Sequence, residues 1–171
     1  QQAKEFGLNW RLDTSVVEEL PWKGYTARRE TSAATGLPRF RYDHNAPTET
    51  LVPWRDTYRP ELTETKPKAY VVPKQWKVVI DRLKLNGVAM EALAKDSTLI
   101  VEQDSIGDFT TVPMAYEGHY LHQGIQASRR SIKMVAHAGD LLIPMGHATD
   151  RYVMEALECR ADDGFFAWNF F

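Results

Sequence analysis

From Lys68 onward the spacing of apolar positions is regular enough to assign elements. The run "KAYVV", bounded by prolines, predicts a short buried strand. In "KQWKVVIDRLKLNG" the residues Trp76, Val79, Ile80 and Leu83 recur at i, i+3, i+4 and i+7. That stripe predicts an amphipathic helix over about 75–86, with Asn86-Gly87 as its stop signal. "VAMEAL" predicts the next strand, so residues 68–93 read as a strand–helix–strand unit whose strands would be parallel if adjacent. The segments "STLIVEQDSI", "FTTVPMAYEGHYL", "IQASRRSIKMVA" and "DLLIPM" are rich in β-branched and aromatic residues. Gly107, Gly118, Gly124 and Gly139 supply turns, and the segments predict antiparallel strands. A second helix over about 149–158 follows from "HATDRYVMEALE", with Thr149 as N-cap and an apolar stripe of Tyr152, Val153, Ala156 and Leu157.

The chain closes on "DDGFFAWNFF", which reads as the turn Asp162-Asp163-Gly164 leading into a strand buried on both faces. Phe165, Ala167 and Asn169 then share one face and Phe166, Trp168 and Phe170 the other, with the Asn169 amide in a structural role. Ending on so apolar a stretch also predicts that the natural chain continues past Phe171. The pattern as a whole gives an α+β class: a mixed, mainly antiparallel sheet with two helices.

Residues 1–66 differ. Six of the nine prolines fall between Pro21 and Pro67, among turn-rich stretches such as "TSAATGLPRF" and "YDHNAPTET". Proline removes ladder donors and turns the preceding residue away from helix, so this part reads as an extended arm with short strands, ahead of an α+β domain over 67–171. The arm carries Trp10, Trp22, Tyr25, Phe40, Tyr42, Trp54 and Tyr58, too much aromatic surface for a disordered linker, and is expected to pack along something folded.

Composition narrows the partners. Of the 171 residues, 21 are basic and 23 acidic, for a net charge of −2, and no basic run exceeds a pair, so no nucleic-acid footprint is visible. No apolar run approaches a membrane span, and the single Cys159 excludes an internal disulfide and reads as a small packed residue. Phosphate-binding glycine loops, the nucleophile-elbow motif and His-Glu-x-x-His are all missing from the sequence. The remaining metal-ligand candidates are Glu117, His119 and His122 of "YEGHYLH", for which a joint site needs a bend at Gly118 or Gly124. The ordinary role for each histidine is a hydrogen-bonded structural or surface side chain. Arg129-Arg130 and Asp162-Asp163 read as solvated turn charges. Trp22, Trp54, Tyr58 and Tyr116 are candidates for a platform that stacks on glycan or peptide, although core packing or anchoring of the arm is the commoner use.

Taken in order, "LDTSVVEELPWKGY", "TSAATGLPRFRYDHNAP", "KAYVVPKQWKVVIDRLKLNGVAMEAL", "YEGHYLH" and "LECRADDGFFAWNFF" resemble the region that follows the catalytic domain in large bacterial zinc carboxypeptidases of the carboxypeptidase A superfamily. The resemblance implies a secreted or periplasmic parent in which one zinc ion and a glutamate-activated water hydrolyse C-terminal peptide bonds. Such a centre needs a His-x-x-Glu pair, a distant His and an Arg clamp. Position +3 after His44, His119, His122, His137 and His147 is Pro47, His122, Ile125, Asp140 and Asp150, so the ligand pair is missing from this sequence. The resemblance therefore implies a non-catalytic accessory region without a cofactor of its own. Its partner is a zinc-bearing catalytic domain expected upstream of Gln1. Two rivals stand beside it: a glycan, peptidoglycan or peptide binding module using the surface aromatics, and an independent metal-dependent hydrolase built on Glu117, His119 and His122.

Overall fold

The computed structural model describes residues 4–171. The class is mixed α+β: the described residues form nine strands and two helices, with antiparallel pairing in the β2–β3, β5–β9–β6 and β7–β8 sheets. The described residues form two compact units. One comprises the described residues up to Trp10 together with Pro60–Phe171; the other is Arg11–Arg59.

The first unit holds the core. Strands β5 (Ala69–Val72), β6 (Glu91–Ala92) and β9 (Leu141–Pro144) form a sheet in the order β5-β9-β6, with β9 antiparallel to both neighbours. Helices α1 (Lys77–Leu85) and α2 (Asp150–Leu157) bury Val79, Ile80 and Leu83, and Val153 and Ala156, against Val72, Val88, Ile143 and Phe165. The strand–helix–strand unit is present, but β9 separates its two strands, and "VAMEAL" contributes only two paired residues. α1 ends as its Asn-Gly signal predicts: Gly87 takes φ +71°, its N–H donates to the Lys84 carbonyl, and the Val88 N–H donates to that of Leu83. This double closure lets buried Val88 seal the helix end.

α2 begins where expected, yet the Thr149 side chain does not cap it. The Asp150 carboxylate instead ties the preceding turn to the helix start, accepting from the backbone N–H groups of Gly146 and His147 and from the Lys66 ammonium at 2.9 Å. Burial alone would raise the pKa of Asp150; these donors outweigh it and hold the carboxyl below its ordinary range.

Strands β7 (Ser97–Thr111) and β8 (His122–Ala136) pair as a long antiparallel ribbon. Gly107 lies inside β7 at a register shift rather than at a turn, and Gly118 sits in the true connection, closed by reciprocal backbone bonds between Tyr116 and His119.

The end of the chain departs most from expectation. Residues 165–169 form successive turns, not a strand: Trp168 N–H donates to Gly164, Asn169 to Phe166 and Phe170 to Phe165. Winding satisfies the peptide groups locally, where a strand would need a neighbour. Phe165 and Ala167 are buried, while Asn169, expected on the same strand face, is exposed at φ +58°. The segment folds back through Gly164, where an added Cβ would lie 2.9 Å from the Glu158 carbonyl. Phe170 then lies under the Arg82 guanidinium at 4.4 Å, and Phe171 meets Trp76 edge-on at 4.8 Å.

β1 (Glu5–Leu12) pairs with β4 (Tyr58–Thr65). Within the Arg11–Arg59 unit, β2 (Glu18–Thr31) and β3 (Pro38–Trp54) make a second two-stranded ribbon of 14 and 17 residues, with a register shift at Tyr25/Thr26. In such a ribbon each strand keeps one free edge, which is how Pro21, Pro38, Pro47 and Pro53 are tolerated inside strands.

Candidate functional site

Glu117, His119 and His122 do not converge. Glu117 occupies the tight turn with φ +50°, and the His119 ring stacks on Phe170 at 4.6 Å and meets Trp168 edge-on at 6.0 Å. His122 accepts at Nε2 from the Asn169 amide (3.0 Å), which leaves its Nδ1–H to donate to Thr111 Oγ1 (3.0 Å). The Asn169 amide thus has the structural partner expected of it, from a surface position. Among the described residues no group of three His, Cys, Asp or Glu side chains is placed to hold a metal ion.

The four platform aromatics are all exposed: Trp22 61%, Trp54 45%, Tyr58 55% and Tyr116 57%. Trp22, Trp54 and Tyr58 belong to the Arg11–Arg59 unit and Tyr116 to the other. The pairing Glu18↔Trp54, Leu20↔Val52 and Trp22↔Thr50 puts Trp54, Leu20, Val52 and Trp22 on one face of the ribbon. Pro21↔Leu51, Tyr25↔Pro47, Ala27↔Tyr42 and Arg29↔Phe40 alternate onto the other. Phe40, Tyr42 and Leu51 are as exposed as the tryptophans. The aromatics expected to anchor the arm are open, because a two-stranded ribbon has no second layer to receive them.

A different cluster, hidden from the sequence, lies in the other unit. Arg129 falls in the interior of β8, not in a turn, and the register sets it opposite Asp104. Its guanidinium donates to both Asp104 oxygens at 2.8 Å, to Glu64 at 2.9 Å and to Glu158 at 2.7 Å. Arg160 pairs with the second Glu64 oxygen, the Tyr70 hydroxyl donates to Glu158 at 2.5 Å, and the Cys159 thiol to Asp104 at 3.4 Å. Glu64 and Glu158 side chains are only 6% exposed, so the arginine compensates charges that water does not reach.

The Arg129 bonds, ahead of the opposing effect of burial, hold Asp104 below its ordinary range. Burial, then the charge of Glu158, pushes the Tyr70 hydroxyl far up. Burial and Asp104 push the Cys159 thiol up to about 12. A neutral phenol, a neutral thiol and a guanidinium bonded to three carboxylates make this network a clamp joining β4, β7, β8 and the end of α2. Only its cross-strand pair was within reach of sequence reasoning, had "VEQDS" and "ASRRS" been read as partner strands.

No protein-family model, no curated protein and no solved structure matches the chain. Among the described residues no helix is long and apolar enough to cross a membrane.

Proposed function

We propose that the chain is a non-catalytic accessory module that grips a folded partner through its aromatic ribbon. The partner is the catalytic domain of a secreted or periplasmic zinc carboxypeptidase-like peptidase, as the sequence resemblance implies. One observation carries the docking role: in Arg11–Arg59 Ser32 is the only buried residue, while Trp22, Tyr25, Phe40, Tyr42, Leu51 and Trp54 are all exposed. A lone two-stranded ribbon is marginal in water, and exposed apolar groups on both faces favour a partner surface that covers them. The zinc ion of such a peptidase belongs to the partner, and no residue of this chain is assigned to it.

The test is a pull-down and titration with the zinc carboxypeptidase-like catalytic domain proposed as its partner. The chain should bind it, Trp22→Ser/Trp54→Ser should weaken that binding at least tenfold, and the chain alone with zinc should not cleave C-terminal peptide substrates. Turnover by the isolated chain, or equal binding by the double variant, would contradict the proposal.

The exposure of Trp22, Trp54, Tyr58 and Tyr116 also favours a second reading, in which these rings stack on glycan, peptidoglycan or peptide. Titrating tryptophan fluorescence with soluble peptidoglycan fragments separates the two, because a flat titration removes the second reading alone.

A further inference from the structure

A cleft of about 1050 Å³ opens in the unit that carries the core. Its walls are unusual in one respect: every residue of 63–71 and every residue of 99–104 lines it. A strand that presents a face contributes alternate residues, whereas one that presents its edge contributes consecutive ones. Residues 99–104 are thus an edge of β7; on the facing wall Thr63–Thr65 end β4, which pairs with β1, residues 66–68 connect, and Ala69–Val71 are an edge of β5. β5 pairs with β9 on one side only, and β7 pairs with β8 on one side only, so the edges facing the cleft have no strand against them.

The register identifies free peptide groups. The Met145 N–H donates to the Lys68 carbonyl, and the pairing continues antiparallel through Tyr70↔Ile143 and Val72↔Leu141. Hydrogen-bonded and non-bonded pairs alternate in such a ladder, so Ala69 and Val71 turn their N–H and C=O away from β9. The outward peptide groups of Ala69 and Val71, across the cleft from the edge of β7 that pairs with no strand, favour a third extended backbone between them.

The two ends of the cleft differ. Glu64 and Asp104 meet on Arg129, which places Val71 and Leu99 toward the opposite end and makes the walls antiparallel. The apolar end offers Val71, Leu99, Ile100, Met134 and Leu142, with Ile100 80% exposed. At the other end three carboxylates, Glu64, Asp104 and Glu158, face two guanidiniums, Arg129 and Arg160, and exposed Glu102 adds a further negative charge. Lys66 on that wall is turned to Asp150. Lys68, exposed on the same wall, lies four residues from Glu64 toward the apolar end, so the end at Glu64 and Asp104 keeps a local acidic surplus that selects a cation on the occupant.

We propose that this cleft binds an extended polypeptide segment of a partner as an added strand, with alternate apolar side chains along its length and a lysine or arginine at the acidic end. Six residues of β7 span about 17 Å at about 3.4 Å per step, which sets the segment at five or six residues. The site is separate from the aromatic ribbon and does not rest on its role.

The probe is an acetylated, amidated hexapeptide with one lysine followed by alternating valine and threonine, titrated into the full 171-residue chain and followed by amide chemical shifts. Saturable shifts at Ala69, Val71 and 99–103 are expected. Methylating alternate peptide nitrogens of the probe should abolish binding, replacing its lysine by glutamate should weaken it about tenfold, and Ile100→Lys, at a solvent-facing position, should do the same while the spectrum stays folded. Trp22→Ser/Trp54→Ser should leave this binding unchanged. Equal binding by the methylated probe, shifts confined to other strands, or no saturable shift would overturn the proposal. So would a dimer in sedimentation that Ile100→Lys dissolves, since a second copy would then be the occupant.

Discussion

Arg129 shows how much can hang on one side chain in this molecule. It pairs with Asp104, Glu64 and Glu158 together, and two of those carboxylates are nearly inaccessible to water. Arg129→Met should destabilise the fold by about 3–5 kcal/mol in urea denaturation, because it leaves buried charges unpaired. Asp104 and Asp150 both sit below their ordinary value of 3.8 in the folded state. A lowered folded pKa adds stability that is complete above the unfolded value and disappears as pH falls through the folded one. The urea midpoint should therefore hold down to about pH 4 and drop below it, with a shallower drop in Asp150→Asn. Cys159 behaves in the opposite sense. With its thiol pushed up to about 12, it should resist iodoacetamide at pH 8 while folded and react quickly in urea; equal rates would show that the thiol is not held by Asp104.

At the scale of elements, the two helices and β5 are legible because each writes its own local code: the i, i+3, i+4, i+7 stripe, the Asn-Gly stop and a short apolar run between prolines. The closing segment lacks such a code. Five aromatic residues among its last seven promise burial but not the form that burial takes. The form was decided by the fold-back past Glu158 and by stacking on residues far away in sequence, Arg82, Trp76 and His119. Gly164→Ala should be strongly destabilising, because the new methyl meets the backbone carbonyls of Glu158 and Glu155 at 2.9 and 3.1 Å. Phe165→Ala should cost about 3–5 kcal/mol, as for a large buried aromatic. Thermal melts of the two variants check both expectations, and wild-type stability in Gly164→Ala would mean that the segment is not wound as described. The Arg129 clamp was illegible for a related reason. Its members come from four separated stretches, and no periodicity announces a long-range ion cluster.

For the whole molecule, the contrast lies between a unit with a packed core and one without. The first joins two helices to a three-stranded sheet and seals the junction with Phe165; the second spreads its aromatics over both faces of a ribbon. Composition placed those aromatics in the arm and Pro spacing kept them extended, but sequence alone could not show that nothing in the described chain covers them. Hydrogen exchange of the β2–β3 amides, Glu18–Trp54, measured on the chain alone and then with the proposed partner, a zinc carboxypeptidase-like catalytic domain, tests the proposed docking role most directly. Fast exchange across the ribbon is expected in the free chain, with marked protection in the complex, lost in Trp22→Ser/Trp54→Ser. A ribbon already protected in the free chain, or one whose exchange the partner domain leaves unchanged, would contradict that role.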